Sequence, residues 1–127
     1  MESERIYIAG PFLPTILPKI SNPKLLIHAT YPIIYHNVEN AIRAGVECLK
    51  KGHNPYIPHL TYFTQMYLDK DLGERWYDID MDWLRCCNSI LMIGDWKRSK
   101  GATNELEEAK KLNFKVYYNI SEIKKVR

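Results

Sequence analysis

The run Ser99-Lys-Gly-Ala-Thr-Asn-Glu105 has the residue types and spacing with which this chain could do chemistry. It follows a short apolar stretch, Ser89-Ile-Leu-Met-Ile93, and a loop, Gly94-Asp-Trp-Lys-Arg98. It opens a charged helix predicted over about Thr103 to Leu112, with apolar positions at Leu106, Ala109 and Leu112. Backbone N–H groups at a helix start are unpaired, and with the positive end of the dipole they favour an anion. Ser99 and Gly101 therefore border a phosphate-sized cradle, and Glu105, read as part of the first turn, sets a carboxylate beside it. Two readings of Glu105 stay open at this point: an acid that only complements the dipole, or a functional carboxylate.

A second carboxylate comes from the preceding helix, predicted from Trp76 to Cys87 with Trp76, Ile79, Trp83 and Cys86 or Cys87 turned inward. Asp78 and Asp82 share a face at the i, i+4 spacing, whereas Asp80 points elsewhere; with Trp83 read as a core anchor three residues on, Asp80 is either near the core boundary, where a carboxylate needs a partner, or part of a solvated helix face. His59, in Pro55-Tyr-Ile-Pro-His-Leu-Thr61, falls at the end of a strand, as a pocket residue or a locally bonded one. Tyr7, Phe12, Tyr56 and Tyr62 can supply flat surfaces at the same edge. Histidines 28, 36, 53 and 59 have no metal-binding spacing, so neither a metal nor another cofactor is expected. Cys48, Cys86 and Cys87 read as free thiols.

The elements that must position these groups alternate between strand and helix. Strands are predicted at Arg5–Ala9, about Asn54–Ile57, Ser89–Ile93 and Phe114–Tyr118. Phe12 to Tyr31 reads as a long loop. Asn37 to Lys51 reads as a helix with a stripe of Val38, Ala41, Ile42, Val46 and Leu49, closed by Gly52. Leu60 to Leu68 is a further helical candidate, and a turn is expected over Ser121 to Lys125. This alternation implies an α/β fold: an open parallel sheet covered on both faces, in three α/β/α layers, with ligands outside the carboxyl ends of the strands. Gly10-Pro-Phe12, Pro58-His59 and Asp95 to Gly101 occupy that edge.

With 127 residues, 46% hydrophobic and 26% charged, the chain has the size and balance of one globular domain, 1–127. Its net charge of +3 is modest. The basic clusters Lys97–Lys100 and Lys124–Arg127 are too short for a nucleic-acid stripe. No apolar run approaches the ~18 residues of a membrane span, and the charged Met1–Arg5 is unlike a signal peptide, so a cytoplasmic protein without nucleic-acid or membrane partners is expected.

Four segments in order, Tyr7-Ile-Ala-Gly-Pro-Phe12, Asn54–Thr61, Trp76 through Asp80 to Trp83-Leu84, and Ser99-Lys-Gly-Ala followed by Glu105, resemble the nucleoside 2-deoxyribosyltransferase-like superfamily over nearly the whole chain. Within it the likeness is to small uncharacterised members and, more distantly, to 2'-deoxynucleoside 5'-monophosphate N-glycosidases and deoxyribosyltransferases. The resemblance implies a flavodoxin or Rossmann-like fold in a homodimer or larger homo-oligomer that cleaves the N-glycosidic bond of a deoxynucleoside or its 5'-monophosphate. Glu105 would be the nucleophile, Asp80 the carboxylate that meets the departing base, and Tyr7 the aromatic that orients Glu105. Ser99 and Gly101 match the loop that holds a 5'-phosphate, Gly10 and Phe12 follow the first strand, and Asn119 stands where a neighbouring subunit lends a polar residue. Pro11 departs from the pattern by lacking the N–H that the monophosphate hydrolases offer a phosphate; Lys97, Arg98, Lys100 and Arg43 are the cations that could compensate. A non-catalytic nucleotide-binding or sensing module is the alternative. A flavin or dinucleotide protein is disfavoured, because no Gly-x-Gly-x-x-Gly follows the first strand.

Overall fold

The computed structural model describes residues 2–16 and 19–127, so Leu17 and Pro18 of the expected Phe12–Tyr31 loop lie outside the described residues. Four strands, β1 (Arg5–Ala9), β2 (Asn54–Tyr56), β3 (Ser89–Met92) and β4 (Lys115–Tyr117), form one sheet in the order β2-β1-β3-β4. Every neighbouring pair is parallel. Tyr7 stands opposite Tyr56 on one side and Ile90 on the other.

The helices are α1 (Pro23–Lys50), α2 (Thr61–Gln65), α3 (Arg75–Leu84) and α4 (Lys100–Lys111). Alternation along β1 divides the core. Ile6 and Ile8 pack with Ala41 and Cys48 of α1 and with Ile123, while Tyr7 and Ala9 pack with Met81 and Leu84 of α3 and Ala102, Leu106 and Ala109 of α4. The sheet is thus covered on both faces, giving three α/β/α layers in a flavodoxin or Rossmann-like arrangement.

Several expectations need correction. The segment read as a loop to Tyr31 is helical from Pro23, because Asn22 caps the N–H groups of Lys24 and Leu25 and Pro23 takes a first-turn position that needs no N–H. Pro32 does not break α1: it lies on the exposed side, where the carbonyl left without a donor faces water. The buried stripe of α1 is Ile34, Val38, Ala41, Gly45 and Cys48, so Val46 and Leu49 point outward. Gly52 does end the helix, at φ +88°, with its N–H donating to the Leu49 carbonyl.

The candidate helix over Leu60–Leu68 is only one turn of 3-10 helix, Pro58–Leu60, followed by the five residues of α2. In α3 the inward residues are Met81 and Leu84; Trp83 is 52% exposed and lies against Tyr56 instead of entering the core. The tail turn is Ile120–Glu122, capped by Asn119. Cys48, Cys86 and Cys87 are free thiols. Among the described residues no helix is long and apolar enough to cross a membrane.

Candidate active site

The carboxyl edge of the sheet gathers Gly10–Phe12 after β1, Pro58–His59 after β2, and the loop from Ile93 to Ser99 after β3. The largest difference from the sequence reading concerns α4. Ser99 is its N-cap, accepting from the Ala102 N–H at 3.2 Å, so the helix begins at Lys100 and Glu105 falls in the second turn. No acidic residue occupies the first turn. A carboxylate one turn further in gains little from the dipole, which weakens the account of Glu105 as a mere dipole complement.

Glu105 instead follows Ala102 by three residues and precedes Ala109 by four, which puts it on the buried side of α4 facing the sheet. There the hydroxyl of Tyr7, itself 0% exposed, donates to Glu105 Oε2. Burial raises the Glu105 carboxyl to about 8; the Tyr7 hydrogen bond opposes this and the Asp80 charge adds to it. Asp80, projecting from α3, is raised by burial to about 7, and its Oδ1 is buried without a hydrogen-bond partner among the described residues. Burial also raises the Tyr7 hydroxyl well above its ordinary range, followed by the charges of Glu105 and Asp80. Asp80 lies near the core boundary as the sequence suggested, but the partner that a carboxylate needs there is not found for its Oδ1 among the described residues.

These three groups therefore form one electrostatically coupled cluster, built from a strand and two helices. Two like charges in one dry site oppose each other's ionisation, so at neutral pH the pair tends to keep a proton. Burial places Glu105 above Asp80 even with the Tyr7 hydrogen bond counted, so the resting pair holds its proton more firmly on Glu105, and the tautomer with the charge on Glu105 and the proton on Asp80 is the reactive one that the Tyr7 donor favours. A carboxylate poised beside a carboxylic acid can attack an electrophilic carbon while its neighbour protonates the leaving group.

Aromatic rings wall the cluster. Tyr7 stacks on Tyr56 at 5.6 Å, and Tyr56 on Trp83 at 5.7 Å. Tyr77, three residues before Asp80, faces Asn104 and feels the Glu105 charge, so α3 and α4 meet at the rim through a pair that sequence reasoning missed. The only signal for it was proximity in sequence to Asp80 and Glu105.

The other predicted residues divide. His59 is buried, with Nε2 3.1 Å from the carbonyls of Gly10 and Pro11, so that nitrogen carries the hydrogen and pins the loop after β1. Burial lowers its basicity, the two carbonyls oppose that effect, and Nδ1 has no partner among the described residues. Phe12 tilts against His59 and Tyr62. Gly10 is a packing position, since a Cβ there would lie 2.5 Å from Ile93 Cγ1. A Cβ on Gly101 would meet nothing within 4 Å, so the start of α4 is open.

Asn119 is not brought to Glu105 within the protomer. Its side chain accepts from the Ser121 N–H, and it borders a cleft of about 330 Å³ on the α1 side of the sheet with Arg43, Gly94 and Tyr118. Of the candidate phosphate cations, Arg43 pairs with Glu39 at 2.5 Å, Arg98 with Asp95 at 3.6 Å, and the Lys97 ammonium sits 5.7 Å from the centre of the Trp96 ring. Lys100 opens α4 itself. No group of His, Cys, Asp and Glu that could hold a metal ion occurs among the described residues.

Among curated proteins none matches the chain. Residues 5–119 match the family model described as a domain of unknown function, DUF7768, a span that takes in β1 through β4 with Tyr7, Asp80 and Glu105. The chain belongs to the DUF7768 family.

Proposed function

We propose that this protein is an N-glycosidase of 2'-deoxynucleosides or their 5'-monophosphates, working through a covalent glycosyl ester on Glu105. The observation that carries the reading is the buried Glu105 and Asp80 pair with the Tyr7 hydroxyl on one member only. In the first step a Glu105 carboxylate oxygen attacks the anomeric carbon. The carbon–nitrogen bond breaks, its electron pair stays with the base, and Asp80 supplies the proton. In the second step Asp80, now a carboxylate, takes a proton from water as the water oxygen displaces Glu105 from the sugar. If a second base replaces water, the same ester gives base transfer.

The open start of α4 supports the 5'-phosphate: the free N–H groups at Lys100 and Gly101 point out beside the Ser99 cap, and nothing crowds Gly101. Pro11 offers no N–H from the opposite loop, so phosphate recognition rests on α4 alone. The proposed setting is cytoplasmic, with a homo-oligomer as the working form and a free nucleoside or nucleotide as the ligand.

The test is to incubate wild type and Glu105→Ala with each deoxynucleoside and each 5'-monophosphate, with and without a second free base, and to follow base release by chromatography. Release by wild type that is lost in Glu105→Ala supports the reading, and base exchange identifies transfer. Binding seen by thermal shift without any release would replace the enzyme reading with that of a sensing module.

A further inference from the structure

The N-terminal half of α1 carries an apolar stripe that the other described residues leave uncovered. Its buried side, Ile34, Val38, Ala41, Gly45 and Cys48, continues backward at helical spacing through Tyr31 and Ile27, which are 54% and 51% exposed. A cleft of about 300 Å³ runs along this stretch between Leu26 and Ile34. From Leu25 to Val38 no residue carries a formal charge. An uncharged, half-exposed helix of Leu, Ile and Tyr over nearly four turns is an association surface rather than a solvated one.

Two features identify the occupant as a second copy of this chain. The charges that bracket the neutral run are opposite, with Lys24 before it and Glu39 after it, and Lys24, Tyr31, Tyr35 and Glu39 lie on one side of the helix at spacings of seven and four. An antiparallel pairing about a two-fold axis near Tyr31 and Pro32 sets Lys24 of one protomer opposite Glu39 of the partner subunit at both ends. Glu39 Oε1 accepts from Arg43, which leaves Oε2 for the partner. The area is consistent with such a pairing: Leu25, Ile27, Tyr31 and Tyr35, each more than half exposed, form its apolar part, and the exposed Lys24, His28, Pro32 and Glu39 extend the face toward the ~800 Å² per partner of a standard interface.

We infer that the protein forms a two-fold homodimer through the antiparallel N-terminal halves of α1, with Lys24 and Glu39 paired across each end. The interface reaches the candidate site through a chain of rings: Tyr35 meets Phe63 edge-on at 6.4 Å, Phe63 meets Tyr62 at 5.6 Å, and Tyr62 meets Phe12 at 5.7 Å. Association therefore braces the loop after β1.

Sedimentation velocity of the purified full chain over a range of micromolar concentrations tests this without reference to activity. A dimer is expected whose dissociation constant rises at least about 100-fold in Tyr31→Glu. Lys24→Glu and Glu39→Lys should each weaken it about tenfold, and the double swap should recover most of the loss. Circular dichroism checks that each variant stays folded; if Tyr31→Glu does not, the charge-swap series carries the test alone. A monomer throughout, which is the result if another protein covers the stripe, overturns the inference. So does a dimer indifferent to Tyr31→Glu, or a double swap no tighter than the single reversals.

Discussion

The Tyr7 hydroxyl donates to Glu105 from the middle of β1, a strand residue with 0% exposure holding a helix residue almost a hundred positions away. Burying the carboxyl disfavours its charged form, and the tyrosine donor offsets part of that cost. The carboxylate is the form that benefits, because an acceptor-only oxygen matches the phenolic donor.

Tyr7→Phe should keep the fold, since the ring and its contact with Tyr56 remain. Without the donor, the Glu105 anion loses its one hydrogen bond and its pKa rises further above about 8. Base release at neutral pH should fall by about 10- to 100-fold, with the acid limb of the pH–rate profile displaced upward. An unchanged profile would remove Tyr7 from the proposed machinery.

The pH dependence of stability follows from the same site. The Glu105 carboxyl moves from 4.5 when unfolded to about 8 when folded, so between those values the folded state holds a proton that the unfolded chain has lost. Stability therefore falls as pH rises through that window and levels off above it. Asp80 adds the same sign between 3.8 and about 7. Glu105→Gln removes the larger contribution and should stabilise the protein at pH 8 by about 2 kcal/mol while leaving it near wild type at pH 4, as read from urea unfolding at both pH values.

Asp80→Asn separates the two carboxylates. If Asp80 protonates the departing base, the variant should lose about 100- to 1,000-fold on natural deoxynucleosides. It should lose much less on a deoxyriboside whose leaving group departs without a proton. Equal losses on both would assign Asp80 to positioning rather than acid catalysis.

Gly10→Ala and Gly101→Ala should behave in opposite ways. At Gly10 the new methyl lies 2.5 Å from Ile93 Cγ1 and 3.0 Å from the Ile93 carbonyl oxygen, and the overpacking should cost about 1–3 kcal/mol in chemical denaturation. At Gly101 the methyl meets nothing, and Ala should stabilise the helix by up to about 1 kcal/mol. A rise in KM for monophosphates alone in Gly101→Ala would mark close approach of a phosphate there.

The layer architecture was legible because β1 and β3 are short apolar runs and α4 carries a clear apolar period. Asp80 was placed near the core by a step that the structure does not keep, through Trp83 as a core anchor; what does hold is that Asp78 and Asp82 share an exposed face while Asp80 is half-buried. The first half of α1 was hidden because Phe12–Tyr31 carries Pro14, Pro18 and Pro23 and shows no clean period, even though Asn22-Pro23 is a good helix start. Trp83 was misread as a core residue because size suggests burial, whereas its ring is used sideways, against Tyr56. The start of α4 was set too late because Lys100 and Gly101 look like loop; Ser99 as cap corrects it and moves Glu105 from the dipole to the core face.

The strand order has a consequence for how the molecule forms. β1 carries Tyr7 and both of its neighbours, β2 and β3, follow it in sequence at a distance, while β4 joins only through β3. No part of this sheet can close as a local hairpin, so each pairing must bridge a large loop before any contact repays the lost chain entropy. Folding should accordingly be slow for a chain of this size. The cluster around Glu105 comes into being only when the central strand has captured α3 and α4, which makes assembly of the site a late event and a direct reporter of the completed fold.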